Sequence, residues 1–186
     1  MARFEKYHPI MTAHYTLDWL TAFKVKEINA LRQDAGVAQA MHRPAAGHLT
    51  DTVEYVSHEM LQIMSDKKLV WGIQERSNQT FLGIFVFQNF DKAANSAEVQ
   101  YELLPQFQQQ GIMSEILQHM TRFAFDELHL TQLQAVIYQD QPGADAVLKN
   151  AGFHVREDLT VLDHDPSVSP DKFVVYALDK DTPAGK

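Results

Sequence analysis

Apolar and polar residues alternate over Tyr15-Thr16-Leu17-Asp18-Trp19-Leu20, which predicts a first strand at 15–20. The period then lengthens, and Phe23, Val25, Ile28 and Leu31 predict a helix over 22–34. A loop with His42-Arg43-Pro44-Ala45-Ala46-Gly47 follows. Thr50 or Asp51 then caps a second helix whose stripe is Val53, Val56, Met60, Leu61 and Met64. Three strands come next. The first covers 69–73; the second, 80–88, is so continuously apolar from Phe81 to Phe87 that it reads as the buried centre of a sheet. The third, 97–103, sets Val99, Tyr101 and Leu103 on one face and Glu98, Gln100 and Glu102 on the other. Residues 111–128 form the strongest helix, with Ile112, Ile116, Met120 and Phe123 on its apolar face beside Met113, Leu117 and Ala124. Leu133–Ile137 reads as a buried strand. A short helix at 142–150 opens on Pro142 and stops at Gly152. The last two strands, 153–162 and 172–178, are joined by the loop 163–170. The order strand, two helices, three strands, helix, strand, helix, two strands places the fold in the α/β (α+β) class with a mixed sheet.

A chain of 186 residues suits one compact domain, 1–186, with 1–14 as an N-terminal extension and 179–186 as a loose tail. Cys 0 excludes a disulfide framework, a cysteine-ligated metal and a thiol nucleophile. The net charge of −8 disfavours a nucleic-acid partner and favours cationic ones such as amines. No apolar run reaches the ~20 residues that span a bilayer, and residues 1–9 do not read as a signal peptide, so a cytoplasmic location without membrane partners is expected. Weaker patterns are discounted. His58-Glu59-Met60-Leu61-Gln62 lacks the second histidine of a zinc-protease helix. Asp163-His164-Asp165 has no further ligand cluster to complete a shell, so no metal is expected.

Residues 98–117 carry the informative junction: a strand stops at Pro105, a polar loop follows, and an amphipathic helix opens at Gly111. A helix start leaves backbone N–H groups without intrahelical partners at the positive end of the macrodipole. Gly111 permits unusual backbone angles and close approach, and Gln108, Gln109 and Gln110 add donors without charge. Such a junction suits a diphosphate. It equally suits a polar loop that merely begins a helix, and spacing alone does not separate the two.

The stretch Gln108-Gln109-Gln110-Gly111-Ile112-Met113 resembles the pyrophosphate-binding motif of the GNAT superfamily of N-acetyltransferases, Gln/Arg-x-x-Gly-x-Gly/Ala. Tyr101-Glu102-Leu103-Leu104-Pro105 and Gly111-Ile112-Met113-Ser114-Glu115 are similar to its RimJ/RimL-like branch, named for acetylation of ribosomal-protein N-termini. Ala146-Val147-Leu148-Lys149-Asn150-Ala151-Gly152-Phe153 resembles that branch's helix ending in Lys-x-x-Gly-Phe. The resemblance covers residues 15–178. It implies a mostly antiparallel sheet with a splayed parallel pair, and an acetyl-CoA-dependent transfer to a primary amine by direct attack, without a metal. Leu103 and Leu104 would meet the pantetheine arm and orient the thioester. Gln108, Gln109, Gln110, Gly111, Ile112, Met113 and Ser114 would hold the pyrophosphate, and Gln141 would add a pantetheine contact.

Departures from the family pattern are also expected to matter. Met113 stands where a small residue is usual and would narrow the loop. Gln141 and Ala144 replace an Asn and a Ser, and Ala144 cannot protonate a departing thiolate. An amine must lose a proton before or during attack, and Glu98, then Glu102, are the candidate bases. Tyr138 could place a hydroxyl near the sulfur or simply pack. Residues 36–50 and 163–171 would build the site of the acceptor, a protein N-terminus or a small amine, and a homodimer is compatible with the family. A non-catalytic acyl-CoA-binding module with the same fold is the alternative reading, and an enzyme for a longer acyl chain is a third.

Overall fold

The computed structural model describes residues 3–139, 141, 143–159, 161, 169 and 172–181. They gather into two compact units. One combines the chain up to Phe87 with Tyr101–Gln110; the other combines Gln88–Gln100 with the chain from Gly111 onward.

The first unit is a meander backed by helices. Strand β1 (Ile10–Met11) pairs antiparallel with β2 (Tyr15–Asp18), β2 with β3 (Leu69–Glu75), and β3 with β4 (Phe81–Asp91). The expected run 80–88 is buried from Phe81 to Phe87, because it lies inside a sheet and has no solvent face. Trp71 anchors the core: its ring lies 5.8 Å from Trp19 and 5.9 Å from Phe87, and its indole N–H donates to Tyr7 O at 2.8 Å. Helices α1 (Val25–Gln33), α2 (Ala35–Ala40) and α3 (Leu49–Met64) complete this unit, with α3 packed on α1 and β3.

Four expectations for this unit need correction. The short strand β1 lies in what reads as an extension, since two residues are too few to show an alternation. Helix α2 occupies part of the expected loop 36–50; Asp34 ends α1 and restarts the helix by accepting from Val37 N at 2.8 Å. Helix α3 begins at Leu49 with His48 as its N-cap. Asp51 stands in the first turn and reaches back to His48 N (2.8 Å) and Gly47 N (2.9 Å), which holds its carboxyl below the usual range. The buried positions of α3 are Thr52, Val56, Glu59 and Ile63, so most of the expected stripe faces outward.

In the second unit, β5 (Ser96–Leu103, running on into the first) pairs parallel with β6 (Gln132–Tyr138) at Ser96↔Gln132, Ala97↔Leu133 and Glu98↔Gln134. Strand β6 then pairs antiparallel with β8 (Phe173–Asp179) along its whole length, and β8 with β7 (His154–Val155). The fold is therefore mixed α/β, its described pairings antiparallel except for β5–β6, and the parallel register stops at Glu98. Helix α4 (Ile112–Asp126) buries Ile112, Met113, Ile116, Leu117, Met120, Ala124 and Phe125 and packs on β6 and α5 (Ala144–Asn150). Phe125 takes the buried place expected of Phe123.

Helix α5 ends in a Schellman turn: Gly152 N donates to Lys149 O and Phe153 N to Leu148 O, both at 3.0 Å, with Gly152 at φ 94°. The Lys-x-x-Gly-Phe pattern is thus a helix stop with Phe153 as its buried anchor. The strand expected at 153–162 ends at Val155. Beyond it a turn at Glu157–Asp158 is closed by Arg156 Nη2 on Asp158 at 2.7 Å. Asp179, expected in a loose tail, closes β8 and accepts from Gln132 Nε2 at 2.7 Å. The loop calls at 163–168, 170 and 171, and Pro142, lie outside the described residues. Among the described residues, no helix is long and apolar enough to cross a membrane.

Candidate functional site

The end of β5 and the turn after it belong to the first unit. Gly83 lets β4 come close there, since a Cβ at this position would fall 2.1 Å from Glu102 O. Leu104 N donates to Leu82 O at 2.9 Å, which turns its amide toward β4. Successive residues of an extended chain present their backbone groups to opposite edges, so Leu103 directs its N–H and C=O the other way. The Leu103 carbonyl accepts from Gln108 Nε2 at 3.0 Å. That bond and the single 3₁₀ turn Pro105–Phe107 fold the loop back on the strand end.

Gln109 (φ 58°) and Gly111 (φ 78°) both adopt left-handed angles. Gln110 Nε2 donates to Gln106 O at 2.7 Å, so Gln108 and Gln110 each spend a side-chain donor on shaping the loop. Gly111 is the N-cap of α4, where no side chain caps the helix, and its carbonyl receives Glu115 N at 3.3 Å. The N–H groups of Ile112, Met113 and Ser114 are therefore left to the helix mouth. A Cβ on Gly111 would meet no atom within 4 Å, so the space in front of it is open. Met113 is buried, at 5% exposure. These features fit an anionic group: unpaired backbone donors, the positive end of a 15-residue helix, and room to approach.

The two candidate bases differ in their surroundings. Glu98, in the second unit, accepts from Gln88 Nε2 at 3.2 Å on one oxygen and from Asn89 Nδ2 at 2.9 Å on the other. Two side-chain amides thus orient this carboxyl at the last position of the parallel register. Glu102, in the first unit, is 8% exposed and locked to Arg43, whose Nε (3.2 Å) and Nη2 (3.1 Å) both reach Oε2. Burial raises the Glu102 pKa above the usual carboxylate range, against the opposing fields of Arg43, Arg32 and Lys68.

Arg43 spends its other donors on the carbonyls of Arg32 (3.0 Å), Pro44 (3.3 Å) and Leu31 (3.4 Å), which commits all five N–H groups. It clips the end of α1 and the segment before α3 to the end of β5. Arg32 stacks on the Tyr55 ring at 3.7 Å nearby. The Tyr101 hydroxyl is buried without a hydrogen-bond partner, and that burial raises its pKa.

Gln141 Oε1 accepts from Tyr138 N at 3.2 Å, turning its carbonyl oxygen back toward β6. Tyr138 packs against Phe173 at 4.6 Å, as the packing reading expects. Ala144 opens α5 behind an N-cap at Gly143. Sequence reasoning missed Arg43, Gln88 and Asn89. Gln88 and Asn89 sit nine or ten positions from Glu98 across a hairpin already recognised, so the strand register could have found them. Arg43 lies 59 positions from Glu102, and no local signal joins the two.

Among the described residues, no group of three or more His, Cys, Asp or Glu side chains could hold a metal ion. The family model described as "Acetyltransferase (GNAT) domain" matches residues 15–154. The uncharacterized N-acetyltransferase YoaA of Bacillus subtilis (strain 168) is 28% identical over 83 residues, 45% of this chain and 47% of that protein. The chain thus matches about half the length of this curated relative. Among solved structures, the RimL ribosomal L7/L12 α-N-protein acetyltransferase in complex with coenzyme A superposes with a TM-score of 0.73 at 16% identity, covering 95% of this chain and 98% of that one. The spermidine N-acetyltransferase of Vibrio cholerae, with CoA and spermine, gives 0.73 at 14% identity over 89% and 95%.

Proposed function

Because the chain belongs to the GNAT acetyltransferase family, matched over residues 15–154, we propose that residues 1–186 act as one acetyl-CoA-dependent N-acetyltransferase domain, of the RimJ/RimL-like branch. The product is an acetylated primary amine on a protein N-terminus or a small molecule. The supporting observation is the uncapped start of α4 behind the left-handed Gly111, with open space before it. Acetyl-CoA supplies the activated acyl group and a thiol leaving group of ordinary acidity.

The chain's own residues do the rest. The amides at 109–114 take the diphosphate, and the Leu103 N–H takes the thioester oxygen, where charge develops during attack. Leu104, whose amide is committed to β4, contributes by holding that strand end in place, and Gln141 contributes a side-chain N–H. Glu98 is the preferred base. Two amide donors hold its carboxyl in place, and a base in this role takes the proton that the amine loses on attack. Glu102, the second candidate base, has its Oε2 engaged by Arg43, which favours Glu98 ahead of it. The charge of −8 suits cationic acceptors, the class to which spermine and basic N-termini belong, and a cytoplasmic location is consistent with that chemistry.

The test follows free thiol while pure protein is mixed with acetyl-CoA and a panel of polyamines, N-terminal peptides and amino-acid amines. Thiol release stimulated by at least one amine is the expected result. Tight CoA binding with no stimulated release across the panel favours the non-catalytic acyl-CoA-binding module.

A further inference from the structure

Helices α1 and α3 meet along a polar seam. Thr52 Oγ1 donates to Asn29 Oδ1 at 2.8 Å, and three residues further along each helix the Arg32 guanidinium lies over the Tyr55 ring, 3.7 Å from its centroid. One turn beyond Tyr55, Glu59 is 4% exposed and pairs with Lys68 Nζ at 2.9 Å. Arg43 holds Arg32 O at 3.0 Å and Glu102 Oε2 at 3.1 Å with two nitrogens of one guanidinium, which ties the end of α1 to the end of β5. Burial raises the pKa of the Tyr55 hydroxyl. Glu59 and Glu102 add to the rise while Arg32 and Arg43 oppose it, so all four charges act on one neutral phenol.

The ion pairs of this cluster do not balance. Arg43 commits all five N–H groups, and Lys68 has Glu59. Arg32 is half-buried and has no counter-charge among the described residues. Its Nε is buried without a hydrogen-bond partner, and no described residue accepts from its terminal nitrogens. The three cations Arg32, Arg43 and Lys68 thus face the two carboxylates Glu59 and Glu102. One positive charge is in surplus, in a chain whose net charge is −8. A half-buried cation gives up hydration, and here nothing in the chain replaces it. The Tyr55 ring holds the guanidinium plane in place, which presets its fork for a planar anion.

We infer that Arg32 holds a carboxylate of the acceptor, so that the amine substrate is an amino acid. The surplus is a single charge, which one carboxylate neutralises and a phosphate dianion would overshoot. The place also fits. Arg32 O and Glu102 share the Arg43 fork, and Leu103, assigned above to the thioester oxygen, follows Glu102 directly. The overall negative charge attracts amines as a class, and the local surplus selects among them those that also carry an anion. The acceptor's amine rests on the acetyltransferase reading; the anion site rests on the geometry alone. A cation in the last turn of α1 also favours the helix dipole, but that role is indifferent to what the substrate carries.

The test compares amino acids, each beside its fully amidated counterpart, with spermidine as an amine that has no carboxylate. Binding to the coenzyme A-saturated protein is read by equilibrium dialysis and turnover by thiol release. At least one amino acid should bind wild type at least about tenfold more tightly than its amide, with a matching ratio in kcat/KM. Arg32→Met should abolish that ratio through KM, with kcat within about twofold and coenzyme A affinity retained. A residue that only packs on Tyr55 would lower the melting midpoint and leave the ratio alone. The wild-type comparison needs no variant, so it decides the matter even if Arg32→Met folds poorly. Binding by no amino acid, amides or spermidine bound as well as the free acids, or a ratio that survives Arg32→Met overturns the inference. Carboxylate-dependent binding without thiol release would uphold the anion site and count against the acetyltransferase reading instead.

Discussion

Replacing Arg43 with methionine removes the guanidinium from a carboxylate that is 8% exposed and from three backbone carbonyls. Breaking a buried ion pair from one side costs about 3–5 kcal/mol, because the partner charge is left in a poor solvent. Taking about 4 kcal/mol, and about 2–4 °C per kcal/mol for a chain of this size, the melting midpoint should fall by roughly 10 °C. Removing both charges with Arg43→Met/Glu102→Leu should recover most of that loss, for a coupling of about 2–3 kcal/mol in a double-mutant cycle.

The pH dependence follows from the same geometry. Burial raises the folded pKa of Glu102 above its unfolded value, so its contribution is fully favourable below the ordinary carboxylate pKa and is lost as pH rises through the folded one. Without Arg43 the folded pKa climbs further, and the penalty of Arg43→Met should shrink from pH 8 to pH 5 as Glu102 takes up its proton. Urea unfolding at both pH values measures it. A penalty below about 1 kcal/mol, or one that does not change with pH, would show that the clip does not carry the end of β5.

Glu98→Gln should lower amine-stimulated thiol release by about 10²-fold while CoA affinity stays within error, because Gln retains one amide contact but cannot accept the proton. An unchanged rate would remove Glu98 from the chemistry. Gly83→Ala places a methyl 2.1 Å from Glu102 O and should cost at least about 3 kcal/mol in urea unfolding, or prevent soluble expression. Full stability would mean that β4 and β5 can separate locally. Asp51→Asn should remove a stabilisation that is present at neutral pH and that wild type loses as pH falls toward and below 3.8, so the two stability curves should converge in acid. Parallel curves would contradict the cap assignment.

Periodicity located most of the elements because long, one-sided patterns average over many residues: the buried run Phe81–Phe87 and the face of α4 stand close to where the sequence puts them. Short elements escaped for the opposite reason. Two residues of β1 and six of α2 carry no measurable period, and α2 exists because the side chain of Asp34 caps it. The stripe on α3 misled because the helix has two apolar arcs, and the buried one includes Thr52 and Glu59. Each of these has a partner that no pattern shows: Thr52 donates to Asn29 Oδ1 at 2.8 Å, and Glu59 pairs with Lys68 at 2.9 Å. At the candidate site the loop 108–114 was legible because backbone geometry follows from glycine and from a helix start. The surroundings of Glu98 and Glu102 were not. The two residues sit four residues apart on one strand face, and only their neighbours, two amides for one and a guanidinium for the other, tell them apart.

The most direct measurement is calorimetric titration of coenzyme A into the wild-type chain and into Gly111→Asn. Asparagine tolerates the left-handed angle at φ 78°, so the fold is retained while a side chain enters the open space before α4. The account predicts micromolar binding to wild type and at least about tenfold weaker binding to the variant, or about 1.4 kcal/mol. No heat with wild type at millimolar coenzyme A, or equal affinity in the two proteins, would contradict it.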